Sequence, residues 1–317
     1  MRTVLITGAS SGFGTAAARR FAALGDRIIA AARRTERLTD LAKELGTDVL
    51  LPVTLDVRDR ARVERLPAEL PLDFAQVDIL VNNAGLALGL EPAAEADVDQ
   101  WEQMIQTNCT GLVYVTRAFL PQMVARRRGH VVNLGSIAGT YPYPGGNVYG
   151  ATKAFVHQFS LNLRSDLHGT GIRVTSVEPG LSGGTEFSQV RFGGDRERAG
   201  AVYAGTQPLT ADDIAAAIEW ATSQPAHVNV NVIELMPVSQ SFAPFQIHRG
   251  ALRLPREVSF NESPRLAGGA PGGPGPAPVG LHPWPHGCSR KRTHLPSRSI
   301  AARSSGRGCA SAGLSSA

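Results

Sequence analysis

"TVLITGASSGFGTAAARRFAALG", Thr3 to Gly25, decides how the rest of the chain is read. Thr3 to Thr7 form a short apolar run with no charged position, as a strand buried on both faces requires. Gly8, Gly12 and Gly14 follow at once, and then an alanine-rich stretch with helical spacing runs to a glycine stop at Gly25. Glycines let a backbone approach a pyrophosphate closely, and the N-terminus of a helix favours its charge. The spacing here is G-x-x-x-G-x-G rather than the common G-x-G-x-x-G. The physics is shared, so the turn at the end of the first strand predicts a dinucleotide site.

The chain repeats that unit. "RIIAAA" (Arg27–Ala32), "VLLPVTLDV" (Val49–Val57), "VDILVNNAG" (Val77–Gly85), "GHVVNLGS" (Gly129–Ser136), "GIRVTSVEPG" (Gly171–Gly180) and "NVNVIELMP" (Asn229–Pro237) read as further strands, with amphipathic helical stretches such as "RLTDLAKELG" between them. Strands alternating with helices imply right-handed crossovers. The prediction is an α/β fold: a doubly wound, mostly parallel, seven-stranded Rossmann sheet with helices on both faces and strands buried on both sides. It occupies residues 1–249.

After Arg249 the character changes. "LAGGAPGGPGPAPVGLHPWPHG" is rich in proline and glycine without a repeat, and "SIAARSSGRGCASAGLSSA" is small and polar. Such composition buries too little apolar surface to offset chain entropy, so residues 250–317 are expected to form a disordered tail. The tail carries nine Arg/Lys against two Asp/Glu, which leaves the first 249 residues at −2 although the whole chain is +5. A nucleic-acid reading drawn from the basic balance would rest on the tail alone, where charge is dispersed and aromatics are few. "RRR" at Arg126–Arg128 and "SRKR" at Ser289–Arg292 read as solvated charge. No nucleic-acid partner is expected. No run of about 18 apolar residues occurs, so no membrane partner is expected. The N-terminus lacks the long apolar region of a signal peptide, and Cys109, Cys288 and Cys309 make no disulfide framework, so a cytoplasmic protein is expected. His282, His286, Cys288 and His294 fit no common zinc spacing, and no metal site is expected.

Several strand ends carry chemistry. In dinucleotide enzymes an acidic residue after the second strand accepts the ribose 2′-hydroxyl of NAD, whereas an arginine meets the 2′-phosphate of NADP. Here that strand ends without Asp or Glu, and Arg33 and Arg34 stand in its place, so the cofactor is expected to be NADP. Asp56, after the third strand, can accept from an adenine amine. "NNAG", Asn82 to Gly85, ends the fourth strand with small residues that allow a ribose to pass.

The central constellation is Ser136, Tyr149 and Lys153, with Asn108 upstream. Three of the chain's 32 basic residues are lysines, so a lysine four places after Tyr149 stands out. On a helix, i and i+4 share a face. A compact ammonium beside a phenol favours phenolate, and a planar guanidinium fits a ribose hydroxyl less well. Tyr149 is therefore the expected general acid or base, with Ser136 holding the reacting oxygen.

These pieces together resemble the short-chain dehydrogenase/reductase family. "TGASSGFG", "NNAG", the Asn108 of "TNCTG", the Ser136 of "LGSIAG", "YGATK" and "EPG" occur in that family's order over residues 1–249. "NNAGLALGLEPA", "GNVYGATKAFVHQFSLNLRSDLHGTGIRV", "EPGLSGGTEFS" and "QPAHVNVNVIELMPVSQS" look like its NADP-dependent 3-hydroxy acid dehydrogenases, a subgroup also named for serine and allo-threonine. The resemblance implies catalysis by Asn108, Ser136, Tyr149 and Lys153, with Asn108 holding a water that relays protons to Lys153. It implies cofactor contacts at Gly8, Ala9, Ser10, Ser11, Gly12, Phe13, Arg33, Arg34, Asp56, Val57, Asn83, Tyr149, Lys153, Pro179, Gly180, Leu181, Ser182, Gly183, Gly184, Thr185, Glu186 and Phe187. It also implies a homotetramer that packs the Tyr149-bearing helix and the C-terminal strand region. The chain departs from the family in its tail.

Arg191, in "FSQVRFGGD", lies where the family has a mobile substrate loop; it is the candidate to meet a substrate carboxylate, while Ser136 and Tyr149 contact the substrate at its reacting oxygen. The expected function is NADP-dependent interconversion of a short 3-hydroxy acid, such as serine, allo-threonine or 3-hydroxypropionate, with its 3-oxo acid or semialdehyde. Two alternatives are a reductase of another small carbonyl substrate and a non-catalytic NADP-sensing protein. The complete tetrad argues against the sensor.

Overall fold

A computed structural model describes residues 1–242 of the 317. The tail expected from residue 250, its boundary at Arg249, and the four tail residues weighed as metal ligands lie outside the described residues.

Seven strands form one sheet: β1 (Thr3–Thr7), β2 (Arg27–Ala32), β3 (Leu50–Thr54), β4 (Ile79–Asn82), β5 (Gly129–Leu134), β6 (Ile172–Pro179) and β7 (Val232–Leu235). Their order is β3-β2-β1-β4-β5-β6-β7, and all six pairings are parallel. The order reverses between β1 and β4, the crevice where open α/β sheets bind ligands.

Alternation along the strands builds two cores. Val4, Ile6, Ile28, Ala30 and Val132 face one side and pack with Phe21 of helix α1 (Gly12–Ala23), Leu38 of α2 (Thr35–Leu45), and Ile214 and Ile218 of the helix Ala211–Ser223. Leu5, Ile29, Leu80 and Val131 face the other side. There they meet Val63 of α3 (Arg60–Glu69), Phe119 of α5 (Leu112–Arg126) and Leu163 of α6 (Asn147–Asp166).

The edges differ from the expectation of strands buried on both sides. In β3, Pro52 and Thr54 are exposed, and β7 has no fully buried residue. Both lack a neighbour on one side, and Pro52 is tolerated because an edge strand needs no donor there. Five strands, β3 to β7, are also shorter than the runs quoted for them. β4 stops at Asn82 because Asn83 turns to β1, its backbone N–H donating to Thr7 Oγ1 at 3.0 Å and its amide to the Thr7 carbonyl at 2.8 Å.

Between β4 and β5 one helical run changes pitch. It begins as α4 (Val98–Ile105), widens into a π-helical turn over Gln106–Gly111, and continues as α5. Such turns mark functional positions, and this one carries Asn108. No described helix is long and apolar enough to cross a membrane.

His130, near the start of β5, is buried with Nε2 against Thr175 Oγ1 at 2.8 Å and Nδ1 without a described partner. Burial, with Arg173 and Arg2 nearby, lowers its pKa from 6.5 to about 3. The native state thus resists a proton that the unfolded chain accepts. This group's contribution is intact above pH 6.5 and is lost, at about 1.4 kcal/mol per pH unit, as pH falls toward 3. In His130→Leu the acid limb of melting temperature against pH should be shallower by that slope. An unchanged limb would refute the assignment.

Candidate active site

The glycine turn is closed by close approaches. A Cβ on Gly14 would lie 2.5 Å from the Gly8 carbonyl oxygen and 2.7 Å from Asn83 Nδ2. Gly8 has φ +68°, and a Cβ there would lie 2.9 Å from Ala84 Cα. Thr7 Oγ1 accepts from Asn83 and Ala84 at 3.0 Å each, so the "NNAG" segment is stitched to the turn. Ala9 is buried and its carbonyl accepts from Thr15 Oγ1 at 2.8 Å. Ser11 precedes α1 without capping it, which leaves the N–H groups of the first helical turn free of that side chain.

The segment after β6 forms the opposite lip. Gly180 N–H donates to the Leu235 carbonyl at 2.7 Å, Leu181 N–H to Gln240 Oε1 at 2.7 Å, and Gly183 N–H to the Leu209 carbonyl at 2.8 Å. Ser182 Oγ donates to the Gly180 carbonyl. Gly184 has φ +69°, and the Thr185 methyl stands 3.3 Å from where a Gly12 Cβ would be. Glu186 meets Arg34 at 2.8 Å and Arg37 at 2.7 Å. Arg34 also donates to Ser10 Oγ at 3.2 Å and Ser11 Oγ at 2.9 Å. Arg33 is exposed and has no ion pair among the described residues. Asp56 accepts from Arg58, which holds its carboxyl below the usual range, with Arg33 adding to the effect.

Two expected contacts are not directed into the cleft by their side chains. Phe13 packs on the first core, and Val57 is buried against Gly111, where a Cβ would come within 2.6 Å of Val57 Cγ2.

The four tetrad residues are gathered at the carboxyl ends of β4 and β5. Tyr149 and Lys153 lie on one face of α6, both buried. Lys153 Nζ donates to the Leu134 carbonyl at 2.7 Å and lies 5.9 Å from the Tyr149 ring centroid. Burial lowers the Lys153 pKa to about 8. Burial also pushes the Tyr149 phenol up to about 12, with Ser136 and Arg191 acting in the other direction. The ammonium was expected to favour phenolate. In this structure it faces the Leu134 carbonyl, and burial governs the phenol. Ser136 Oγ accepts from Ala138 N–H at 3.1 Å and reaches the Pro179 carbonyl at 3.4 Å.

Asn108 is fully engaged through its amide. Its Nδ2 donates to the Leu86 carbonyl at 2.8 Å and to Thr152 Oγ1 at 3.0 Å, and its Oδ1 accepts from Leu86 N–H at 2.9 Å. Both amide N–H groups are spent on holding β4's extension to α6. The side chain therefore meets the expected water as an acceptor, through the second lone pair of Oδ1. Gly85 keeps the space beside it open, since a Cβ there would sit 3.2 Å from Asn108 Oδ1 and 3.7 Å from Lys153 Nζ.

A short helix, α7 (Phe187–Arg191), covers Tyr149. Phe187 lies edge-on to its ring at 5.8 Å, and the Arg191 guanidinium stands 5.6 Å from the ring centroid. Arg191 Nε donates to the Gly89 carbonyl and Nη2 to Tyr143 Oη, each at 3.0 Å. Leu86, Leu88, Tyr143 and Phe187 complete a small, mainly apolar enclosure around the phenol. Thr152, Arg37, Tyr143 and Gln240 were missed from sequence. Arg37, one helical turn after Arg34, was the one with a visible signal.

The short chain dehydrogenase family model matches residues 2–193. The NADP-dependent 3-hydroxy acid dehydrogenase YdfG of Salmonella typhi is 61% identical over 246 residues, covering 78% of this chain and 99% of that protein. The serine 3-dehydrogenase of Agrobacterium fabrum is 54% identical over 247 residues, covering 78% and 98%. A solved structure, the closed form of serine dehydrogenase complexed with NADP+, superposes with a TM-score of 0.77 at 58% identity, covering 78% of this chain and all of that one. The chain belongs to the short-chain dehydrogenase family.

Proposed function

We propose that this protein is an NADP-dependent dehydrogenase of short 3-hydroxy acids, serine and allo-threonine among them, acting in the cytoplasm. The observation that carries the substrate class is Arg191 over Tyr149 inside an apolar enclosure. Two of its nitrogens are held by Gly89 and Tyr143, and Nη1 has no hydrogen-bond partner among the described residues. A carboxylate bound there sets the 3-hydroxyl of a short acid beside Tyr149 and Ser136.

The glycine turn, the "NNAG" segment and the lip from Pro179 to Phe187 fit NADP, with Arg33 and Arg34 toward its 2′-phosphate. Bound NADP supplies the hydride acceptor, or in reduction the donor. Ser136 orients the reacting oxygen. Tyr149 moves the hydroxyl proton: burial keeps the phenol protonated, so it holds the proton that reduction needs, and taking up a proton in oxidation requires its pKa to fall. Lys153, charged below about pH 8, supplies the positive field that lowers it and holds the nicotinamide ribose. Asn108 fixes the position of α6 through Thr152. Incubation with NADP+ and a panel of 3-hydroxy acids tests the assignment. Formation of NADPH with short acids is expected. Tight NADP+ binding without turnover would favour the sensor.

Replacing both Arg33 and Arg34 by Ala should weaken NADP binding by about 2–4 kcal/mol and leave NAD nearly unaffected. Equal KM values for NAD+ and NADP+ in the wild type would overturn the role of this pair.

A homotetramer is supported by apolar surface on α6 and near the β7 edge. Phe155 is exposed and stacked on Phe159 at 5.8 Å, and Val238 and Phe242 are exposed after β7. Light scattering at the monomer mass would contradict it. Residues 250–317 are proposed to be dispensable for catalysis, since the tetrad and all seven strands are complete by Leu235. Deleting residues 250–317 should leave kcat/KM and the melting temperature nearly unchanged. Loss of activity on that truncation would refute this boundary.

A further inference from the structure

Glu186 closes the cofactor cleft with a carboxylate where a phosphate would bind. It comes from the lip after β6, yet it pairs with Arg34 and Arg37 on the β2–α2 side, at 2.8 and 2.7 Å. Burial works to raise its pKa, but the hydrogen bonds from the two arginines prevail and hold it below the usual range, so it is an anion. Arg34 spends its other nitrogens on Ser10 and Ser11. The guanidinium fork is therefore already filled by a negative group. All three side chains are substantially exposed, at 44% for Arg34, 48% for Arg37 and 33% for Glu186, so the pairs are of the weak, exchangeable kind. Arg33, next door and without an ion pair among the described residues, offers an arriving anion a first contact.

We propose that Glu186 is a specificity-determining residue of the cofactor site: its carboxylate is the internal competitor of the adenosine 2′-phosphate for Arg34 and Arg37, and the phosphate binds by displacing it. This rests on the reading above that Arg33 and Arg34 receive NADP. A phosphate monoester brings nearly two negative charges, so it and Glu186 do not share one fork without repulsion. NAD, lacking that phosphate, leaves the pairs in place and is unaffected by them. Glu186 is also the residue immediately before α7, and α7 carries Phe187 and Arg191 onto Tyr149. Displacement at one end of this five-residue helix thus reports cofactor identity to the substrate end.

The test uses the full-length protein, calorimetry, and the fragments 2′,5′-ADP and 5′-AMP alongside NADP+ and NAD+. Glu186→Gln keeps the size and removes the charge. It should bind 2′,5′-ADP and NADP+ about tenfold more tightly and release NADPH correspondingly more slowly, with 5′-AMP and NAD+ changed less than about twofold. Unchanged or weaker binding of 2′,5′-ADP by the variant would overturn the proposal. A wild type that does not prefer 2′,5′-ADP over 5′-AMP would overturn the underlying cofactor reading, and this proposal with it.

Discussion

Lys153→Arg is expected to lower kcat by about 10²- to 10⁴-fold while the protein remains folded. The substitution keeps a positive charge, so charge alone is not at issue. Lys153 Nζ is buried and directed to the Leu134 carbonyl at 2.7 Å, with the open space of Gly85 beside it. A guanidinium is broader, planar and charged at every working pH. It cannot occupy the same position without shifting the Leu134 carbonyl or filling the ground beside Gly85, where the ribose is proposed to lie. The wild-type kcat/KM should also fall as pH rises through about 8, where the buried ammonium discharges, and the variant should lose that limb. Melting temperature and NADP+ titration of the variant separate this from unfolding. Turnover within a few-fold of wild type would remove Lys153 from the mechanism.

Gly14→Ala is the second substitution with a large expected effect. In an ordinary helix this change stabilises by about 1 kcal/mol, because alanine is the better helix former. Here the new Cβ would lie 2.5 Å from the Gly8 carbonyl, 2.7 Å from Asn83 Nδ2 and 2.9 Å from Ala9 Cα. Two of those atoms are backbone, and Asn83 is held by its bonds to Thr7 and Gly8. Nothing flexible is available to move, so the clash decides the sign. A loss of about 1–3 kcal/mol in stability is expected. NADP affinity should fall at least tenfold as the turn opens. Chemical denaturation and cofactor titration read the two effects separately. A variant as stable as wild type would show that the turn can widen.

The sheet was legible in the sequence because its strands are short apolar runs, four of them (β1, β4, β5 and β6) closed by a glycine, and parallel burial leaves little choice of face. Edge positions were not legible: nothing in "VLLPVTLDV" says that β3 has a neighbour on one side only, although Pro52 hinted at it. Tyr149 and Lys153 were legible because i, i+4 spacing fixes their shared face. What Lys153 Nζ touches was not, since that depends on the carbonyl of Leu134, nineteen residues upstream. Asn108 stood out by its place upstream of Tyr149, but its amide's partners, Leu86 and Thr152, depend on long-range packing. The pairing of Glu186 with Arg34 spans 152 positions and follows from the strand order, which no local pattern encodes.

The widened turn at Gln106–Gly111 has a consequence for which changes of length this segment tolerates. A helix advances about 100° per residue, so one residue more or fewer rotates everything beyond it by more than a quarter of a circle. Upstream, Met104 is buried beside Tyr149, and downstream Phe119 and Met123 are buried under the sheet. The π-helical turn sets the angular phase between these two buried stripes. A single-residue deletion there, even one that spares Asn108, would let the run close into a regular α-helix with both stripes kept in phase, because the wider turn is what absorbs the extra residue. Such a deletion displaces Asn108 and spares the buried stripes, whereas a deletion within α4 or α5 would rephase them.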